Sequence, residues 1–169
     1  MTHVDLRTLR IRSGEQFHDT PDVELDPLEL GGQRYSPVPE KPPTRLTISR
    51  TTSGLLFELA FDARLVGPCF RCLTDTGVNT PIRAREYHAT AAADTDELQT
   101  PYVEDERLDL SAWARDSVVL ALPDKILCRP DCAGLCPVCG KDLNVEPHEH
   151  EAETADPRWA ALADLREQL

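Results

Sequence analysis

Residues 44–67, TRLTISRTTSGLLFELAFDARLVG, carry apolar side chains at every second position on either side of a small polar turn. Leu55, Phe57, Leu59 and Phe61 alternate with Leu56, Glu58, Ala60 and Asp62. That period of two belongs to a sheet with one buried face. The stretch predicts a hairpin: a strand from Thr44 to Arg50, a turn at Thr52-Ser53-Gly54, and a long strand to Val66. Beyond GPCFRCLTDTG (residues 67–77), a further strand is expected from Val78 to about Ala89. Cys69 and Cys72 then sit on a turn between two strands.

Working outward, residues 1–43 mix short apolar stretches with the turn formers DTPD, LGGQ and SPVPEKPP. They predict one or two short strands, around Val4–Ile11 and Val23–Leu30, and a proline-rich connector. On the other side, residues 94–109 carry seven acids against Arg107, a net of −6, and are expected to form a loop. LDLSAWARDSVVLALP (108–123) predicts a helix with Ser111 as N-cap, Trp113, Val118 and Leu122 on a buried stripe, and Pro123 as its stop. The closing DPRWAALADLREQL (156–169) predicts a second helix, capped by Asp156 with Pro157 at its first position. The expected fold is α+β: a curved or barrel-like antiparallel sheet with one main helix and a Cys-rich, zinc-binding C-terminal segment. Its three parts are 1–43 (strands and connector), 44–127 (sheet plus helix core) and 128–169 (Cys/His-rich module and C-terminal helix).

Composition narrows the function. The 169 residues suit one domain, or one with an appended module, and 40% hydrophobic residues suffice for a single core. The formal net charge of −12 has the wrong sign for a protein that coats nucleic acid by displacing phosphate counterions. A basic protein partner fits it better. The opening MTHVDLRTLRIRSGE is charged throughout, unlike a secretory signal, and the longest apolar run, Val118–Leu122, is too short to span a bilayer. The expectation is a cytoplasmic protein without membrane contact, in a compartment where clustered cysteines bind metal rather than form disulfides.

The chain has six cysteines, and four of them lie in CRPDCAGLCPVCGKDLNVEPHEHE (128–151). Zinc takes about four nitrogen or sulfur ligands at tetrahedral angles, and a Cys-x-x-Cys turn supplies two at once. Cys69/Cys72 and Cys136/Cys139 are such turns; Cys128-x-x-x-Cys132 and His148-x-His150 complete a set of eight candidate ligands. The favoured partition joins Cys69 and Cys72 to Cys128 and Cys132, and Cys136 and Cys139 to His148 and His150. A ribbon-like site made of the two Cys-x-x-Cys turns is one alternative; two solvated histidines in an acidic tail are another. With ligands this plentiful the zinc, one ion or two, is expected to be structural. Filling both sites makes the chain no less negative.

No catalytic signature accompanies the cysteines. The deaminase pattern needs H-x-E ahead of P-C-x-x-C, and HEHE has the wrong spacing for H-E-x-x-H. Walker, G-x-G-x-x-G and G-x-S-x-G strings are absent. A redox role for a Cys-x-x-Cys turn would call for a βαβ setting in place of this hairpin. No catalytic residue, small-molecule substrate or bound organic cofactor is expected. Cationic groups gather at Arg7, Arg10 and Arg12, at Arg45 and Arg50, and at Arg83 and Arg85, which share a strand face with Tyr87. Such a face suits either solvent or RNA phosphates.

GPCFRCL, the acidic loop, LDLSAWARDSVVLALP, CRPDCAGLCPVCGKDLN and DPRWAALADL together resemble the YceD family, also called DUF177, over roughly residues 44–165. The resemblance implies a non-enzymatic ribosome biogenesis factor supporting accumulation of the large-subunit (23S) rRNA. Its implied partners are a ribosomal protein of the large subunit, rRNA, or a pre-50S particle. Many relatives carry C-x-C where this chain has His148-x-His150, which implies that both histidines are ligands. Some lack the G-L-C-P-x-C-G half, which implies two independent sites. The acidic body suggests a holder of a basic ribosomal protein. A zinc-stabilised rRNA-binding module and a zinc or redox sensor are the alternative functions.

Overall fold

The computed structural model describes residues 2–90 and 98–150. In chain order the elements are β1 (His3–Asp5), a 3-10 turn (Leu6–Thr8), β2 (Gln16–Asp19), β3 (Leu28–Leu30), β4 (Gln33–Pro37), β5 (Arg45–Arg50), β6 (Gly54–Pro68), β7 (Asp75–Ala89), β8 (Val103–Glu104), β9 (Arg107–Asp109) and α1 (Leu110–Ala121). The chain divides into two compact units, Met1–Cys132 and Ala133–Leu169. All the strands and the helix belong to the first.

The hairpin forms where the alternation puts it. β5 and β6 pair in antiparallel register, Arg45 opposite Ala60 and Arg50 opposite Leu55. β6 then pairs with β7 along its whole length, from Gly54↔Ala89 to Pro68↔Asp75. Leu55, Phe57, Leu59, Phe61, Ala63 and Leu65 are all buried, and the residues between them are half-buried or exposed. One face of the hairpin therefore makes the core, joined by Leu46 and Ile48 of β5 and Ile82 of β7. The larger sheet runs β2-β5-β6-β4-β3, with β7 on β6; β1, β9 and β8 form a smaller one. Among the described residues the architecture is the expected one of mostly antiparallel strands with one main helix. The strands do not close into a barrel, since among the described residues β7 pairs with β6 alone.

α1 lies over the core. Trp113, 1% exposed, meets the Phe57 ring edge-on with centroids 6.5 Å apart and stacks on Tyr102 at 6.3 Å. Its N-cap is Asp109, not the expected Ser111: Asp109 Oδ1 accepts the Ala112 N–H at 3.0 Å. A carboxylate serves the free N–H groups of the first turn and the positive end of the helix dipole together. Ser111 Oγ instead accepts the Thr2 N–H at 2.8 Å.

The N-terminal region departs furthest from expectation. The strand sought at Val4–Ile11 ends at Asp5, because the Asp5 carboxylate accepts the Arg7 N–H (3.0 Å) and starts the 3-10 turn. Of Val23–Leu30 only Leu28–Leu30 is strand, though Val23 and Leu25 are buried in the core. The connector contains β4, and β2 has no counterpart among the expected strands. β3 and β4 turn at Gly31-Gly32, both at positive φ (58° and 78°), as a two-residue hairpin turn demands. The expected acidic loop also contains structure: β8 and β9 turn at Asp105 (φ 49°) and Glu106 (φ 59°). The helix expected at 156–169, and Asp94, Asp96 and Glu97 of that loop, lie outside the described residues.

Candidate metal centres

Two groups of ligand atoms form, each with its four donors within 4.8 Å of one another: Cys69, Cys72, Cys128 and Cys132, and Cys136, Cys139, His148 and His150. They are the groups of the favoured partition. The four-sulfur group belongs to the first unit. Cys69 and Cys72 come from the β6–β7 turn; Cys128 and Cys132 come from the segment that follows α1. The Phe70 N–H donates to the Ile126 carbonyl (2.8 Å) and so fastens that segment to the turn. Arg71 Nη1 donates to the Cys132 carbonyl at 2.6 Å.

Sulfur spacing tests the fit. Cys69 Sγ and Cys132 Sγ are 3.8 Å apart, and Cys72 Sγ and Cys128 Sγ 3.6 Å. A zinc–thiolate bond of about 2.3 Å puts the corners of a tetrahedron about 3.8 Å apart. A disulfide would need about 2.05 Å, and all six cysteines are free. The site fits zinc.

The proton balance agrees. Burial pushes the Cys69 thiol up, but the backbone N–H groups of Cys72, Arg71 and Cys128 aimed at its sulfur bring it down to about 6. Cys72 is lowered by the Thr74 hydroxyl and backbone. Cys128 is pushed up to about 12, by desolvation first and then by the sulfurs of Cys72 and Cys132. Four sulfurs this close do not all ionise on their own. A divalent cation held among them would take the place of the protons.

The second group builds on the same backbone device. In the first turn the Cys69 N–H donates to the Thr74 carbonyl (2.8 Å) and the Leu73 N–H to the Cys69 carbonyl (3.0 Å). In the second, the Cys136 N–H donates to the Lys141 carbonyl and the Gly140 N–H to the Cys136 carbonyl, both at 2.8 Å. The residue after each second cysteine is left-handed: Leu73 at φ 62°, Gly140 at φ 73°. Glycine takes that conformation without cost; leucine pays about 1–2 kcal/mol, so the first knuckle is held against strain.

His148 closes the second group. Its Nδ1 is 2.7 Å from the Glu146 carbonyl, which only accepts, so Nδ1 carries the proton. The Nε2 lone pair then faces Cys139 Sγ at 3.1 Å. A ligating imidazole is oriented this way, its far nitrogen tied to a carbonyl. The same carbonyl, followed by Cys136, raises the His148 pKa. The Cys139, Val138 and His148 groups around Cys136 lower that thiol to about 6, with the Cys139 N–H foremost. Lys141 Nζ pairs with Glu146 Oε1 at 2.9 Å and steadies the loop that carries this carbonyl. The Glu146 carbonyl, Lys141 and the left-handed Leu73 are supporting groups that the sequence did not announce. Of the two left-handed positions, only Gly140 bears a residue whose type favours that backbone.

Other residues singled out in the sequence do not join a site. Arg85 pairs with Glu58 (2.8 Å) and Arg83 stands 4.0 Å from Asp62, across the outer face of the sheet. Arg7 bonds Glu106 at 2.8 Å. No helix among the described residues is long and apolar enough to cross a membrane.

The family whose profile matches the chain, over residues 57–166, is described as "Large ribosomal RNA subunit accumulation protein YceD". Among curated proteins, the chain is 38% identical over 124 residues to Uncharacterized protein Rv2926c of Mycobacterium tuberculosis (strain ATCC 25618 / H37Rv), covering 71% of this chain and 59% of that protein. It is 34% identical over 125 residues to Uncharacterized protein ML1660 of Mycobacterium leprae (strain TN), covering 71% and 57%. With Uncharacterized protein YlbN of Bacillus subtilis (strain 168) it shares 28% identity over 158 residues, covering 90% and 88%. The chain thus spans less than two thirds of the length of these mycobacterial relatives. No solved structure matches it.

Proposed function

The chain belongs to the YceD family, and from that premise we propose that it is a non-enzymatic factor supporting accumulation of the large-subunit rRNA by holding a basic ribosomal protein before rRNA takes it over. The observation that carries the holding role is the net charge of −12. Long-range attraction of that sign steers a cationic protein and speeds its capture. The β8–β9 turn adds a local display, with Glu104 and Asp105 exposed and Glu106 exposed but paired with Arg7. The rival rRNA-binding face is weakened by its own ion pairs, Arg85–Glu58 and Arg83–Asp62.

Zinc in this proposal is structural, held by Cys69, Cys72, Cys128 and Cys132 and by Cys136, Cys139, His148 and His150. Each set already supplies four donors, which leaves no position for a reacting water. Elemental analysis of the purified protein is expected to return two zinc atoms per chain. One atom would remove one of the two centres, and none would end the metal assignment.

Pull-down from lysate at low and high salt tests the holding role. A basic large-subunit protein retained at low salt and released at high salt is the expected outcome. Retention of rRNA with no such protein would give the function to the RNA-binding alternative.

A further inference from the structure

β7 has one side free among the described residues. Among the described residues it pairs with β6 alone. The Thr90 N–H donating to the Ser53 carbonyl (3.0 Å) sets the phase of the ladder. Residues 82, 84, 86 and 88 therefore turn their backbone groups toward β6, and 81, 83, 85 and 87 turn theirs away. Among the described residues no hydrogen bond reaches the outward N–H and C=O groups of Arg83 or Arg85. An edge strand of 15 residues is a long template for pairing, and Pro81 is its one proline.

A groove of 390 Å³ runs beside this edge. Its one wall is the unbroken run Pro81–Glu86; the other is α1, with Trp113, Ser117, Leu120 and Ala121. Leu120 is 86% exposed and forms an apolar shelf facing solvent. Free donors and acceptors beside an apolar shelf are what an added strand uses: main-chain bonds for grip, alternate side chains for selectivity.

We infer that the β7 edge receives an extended segment of a basic protein as an added strand. The inference rests on the proposed holding of a basic protein and says where that protein is gripped. Outward groups recur every second residue, about 6.8 Å apart. One set of the guest's side chains falls on the Leu120–Ala121 shelf; the other set points to solvent. The fitting segment alternates apolar with basic residues.

Charge selects this occupant. Arg83 and Arg85 lie on the groove wall, but their guanidinium groups face Asp62 at 4.0 Å and Glu58 at 2.8 Å. Glu86 lines the groove, and Asp116, paired with Arg115 at 3.0 Å, accepts from the Tyr102 hydroxyl at 3.2 Å. A second copy of this chain brings another −12 and is repelled. An RNA strand brings charge of the same sign.

The probe is a synthetic peptide alternating Val and Lys, compared with a version of equal charge in which proline replaces alternate residues. The protein variants are Arg85→Pro and Arg85→Ala. Proline at 85 removes an outward N–H and no bond to β6, and Pro81 already occupies an outward position of the same strand. The Val/Lys peptide is expected to slow hydrogen exchange at the amides of Arg83 and Arg85 at least tenfold. Arg85→Pro should weaken its binding about tenfold, the loss of one to two main-chain bonds; Arg85→Ala should not weaken it. Circular dichroism and the exchange protection of Ile82 and Ala84 confirm that Arg85→Pro folds. Equal binding of the proline-interrupted peptide overturns the inference, because attraction would then be charge alone. So does amide protection at 83 and 85 without peptide, which means self-pairing, or protection by an RNA oligonucleotide in its place. Capture of a ribosomal protein unaffected by Arg85→Pro sinks the groove and spares the holding role. Peptide pairing without any ribosomal protein captured does the reverse.

Discussion

Cys69→Ser is expected to leave the Met1–Cys132 unit unfolded or insoluble at room temperature and to take one zinc atom per chain with it. Two costs separate. A serine hydroxyl in that buried site, without a partner, costs about 1–3 kcal/mol, a loss most domains survive. Release of a structural zinc removes about 10–16 kcal/mol of binding energy that exists only in the folded state, against a total domain stability of about 5–15 kcal/mol. The ligands are also far apart in sequence, Cys132 lying 63 positions after Cys69 and Cys128 56 positions after Cys72. A clip closing a loop of that length restrains the unfolded chain by about 4 kcal/mol on the disulfide scale. Metal content and urea unfolding of the variant check the result. A soluble Cys69→Ser protein, about 1–3 kcal/mol less stable with its full metal count, would show that Cys69 holds no metal. Cys139→Ser is the matched comparison: exposed, in the Ala133–Leu169 unit, it should lose one zinc and change the unfolding of the other unit by less than about 1 kcal/mol.

How far the sequence was legible depended on how local the deciding physics was. The β5–β6 hairpin stood out because a buried face imposes strict alternation over Leu55–Leu65, and no other element gives that pattern. The gathering of eight candidate ligands into two groups was readable for a similar reason: spacing limits which donors one turn presents. The N-terminal strands were not readable. β1, β2 and β3 are three or four residues long, too short to show a period, and their pairing is decided by partners far along the chain. β1 pairs with β9, more than a hundred residues away. Asp109 displaced Ser111 as the cap because Thr2 claimed the Ser111 hydroxyl, a contact with no trace in the local sequence. The support of His148 by the Glu146 carbonyl was hidden too, since a backbone group is the same at every residue.

Trp113→Ala is expected to cost about 3–5 kcal/mol, the range for deleting a fully buried large aromatic and leaving part of the cavity empty. Trp113 is 1% exposed and touches two rings, Phe57 edge-on and Tyr102 face-on. Each such pair adds about 0.5–1.5 kcal/mol beyond area. The site has little room to collapse: Trp113 is the large side chain α1 puts against β6, and its neighbours Ala114 and Val118 cannot reach across the gap. The unfolding midpoint should be followed by circular dichroism, because Trp159 would confuse fluorescence. Two features separate this loss from that of Cys69→Ser. The variant that remains folded should keep both zinc atoms, since no ligand is touched. Trp113→Phe should recover more than half of the lost stability, because a smaller ring still covers Phe57; serine at 69 has no such conservative rescue. If Trp113→Ala were instead to shed metal in proportion to its destabilisation, the core and the four-sulfur site would be one cooperative unit. The helix would then act through the Phe70–Ile126 backbone bond that joins its C-terminal segment to the Cys69 turn.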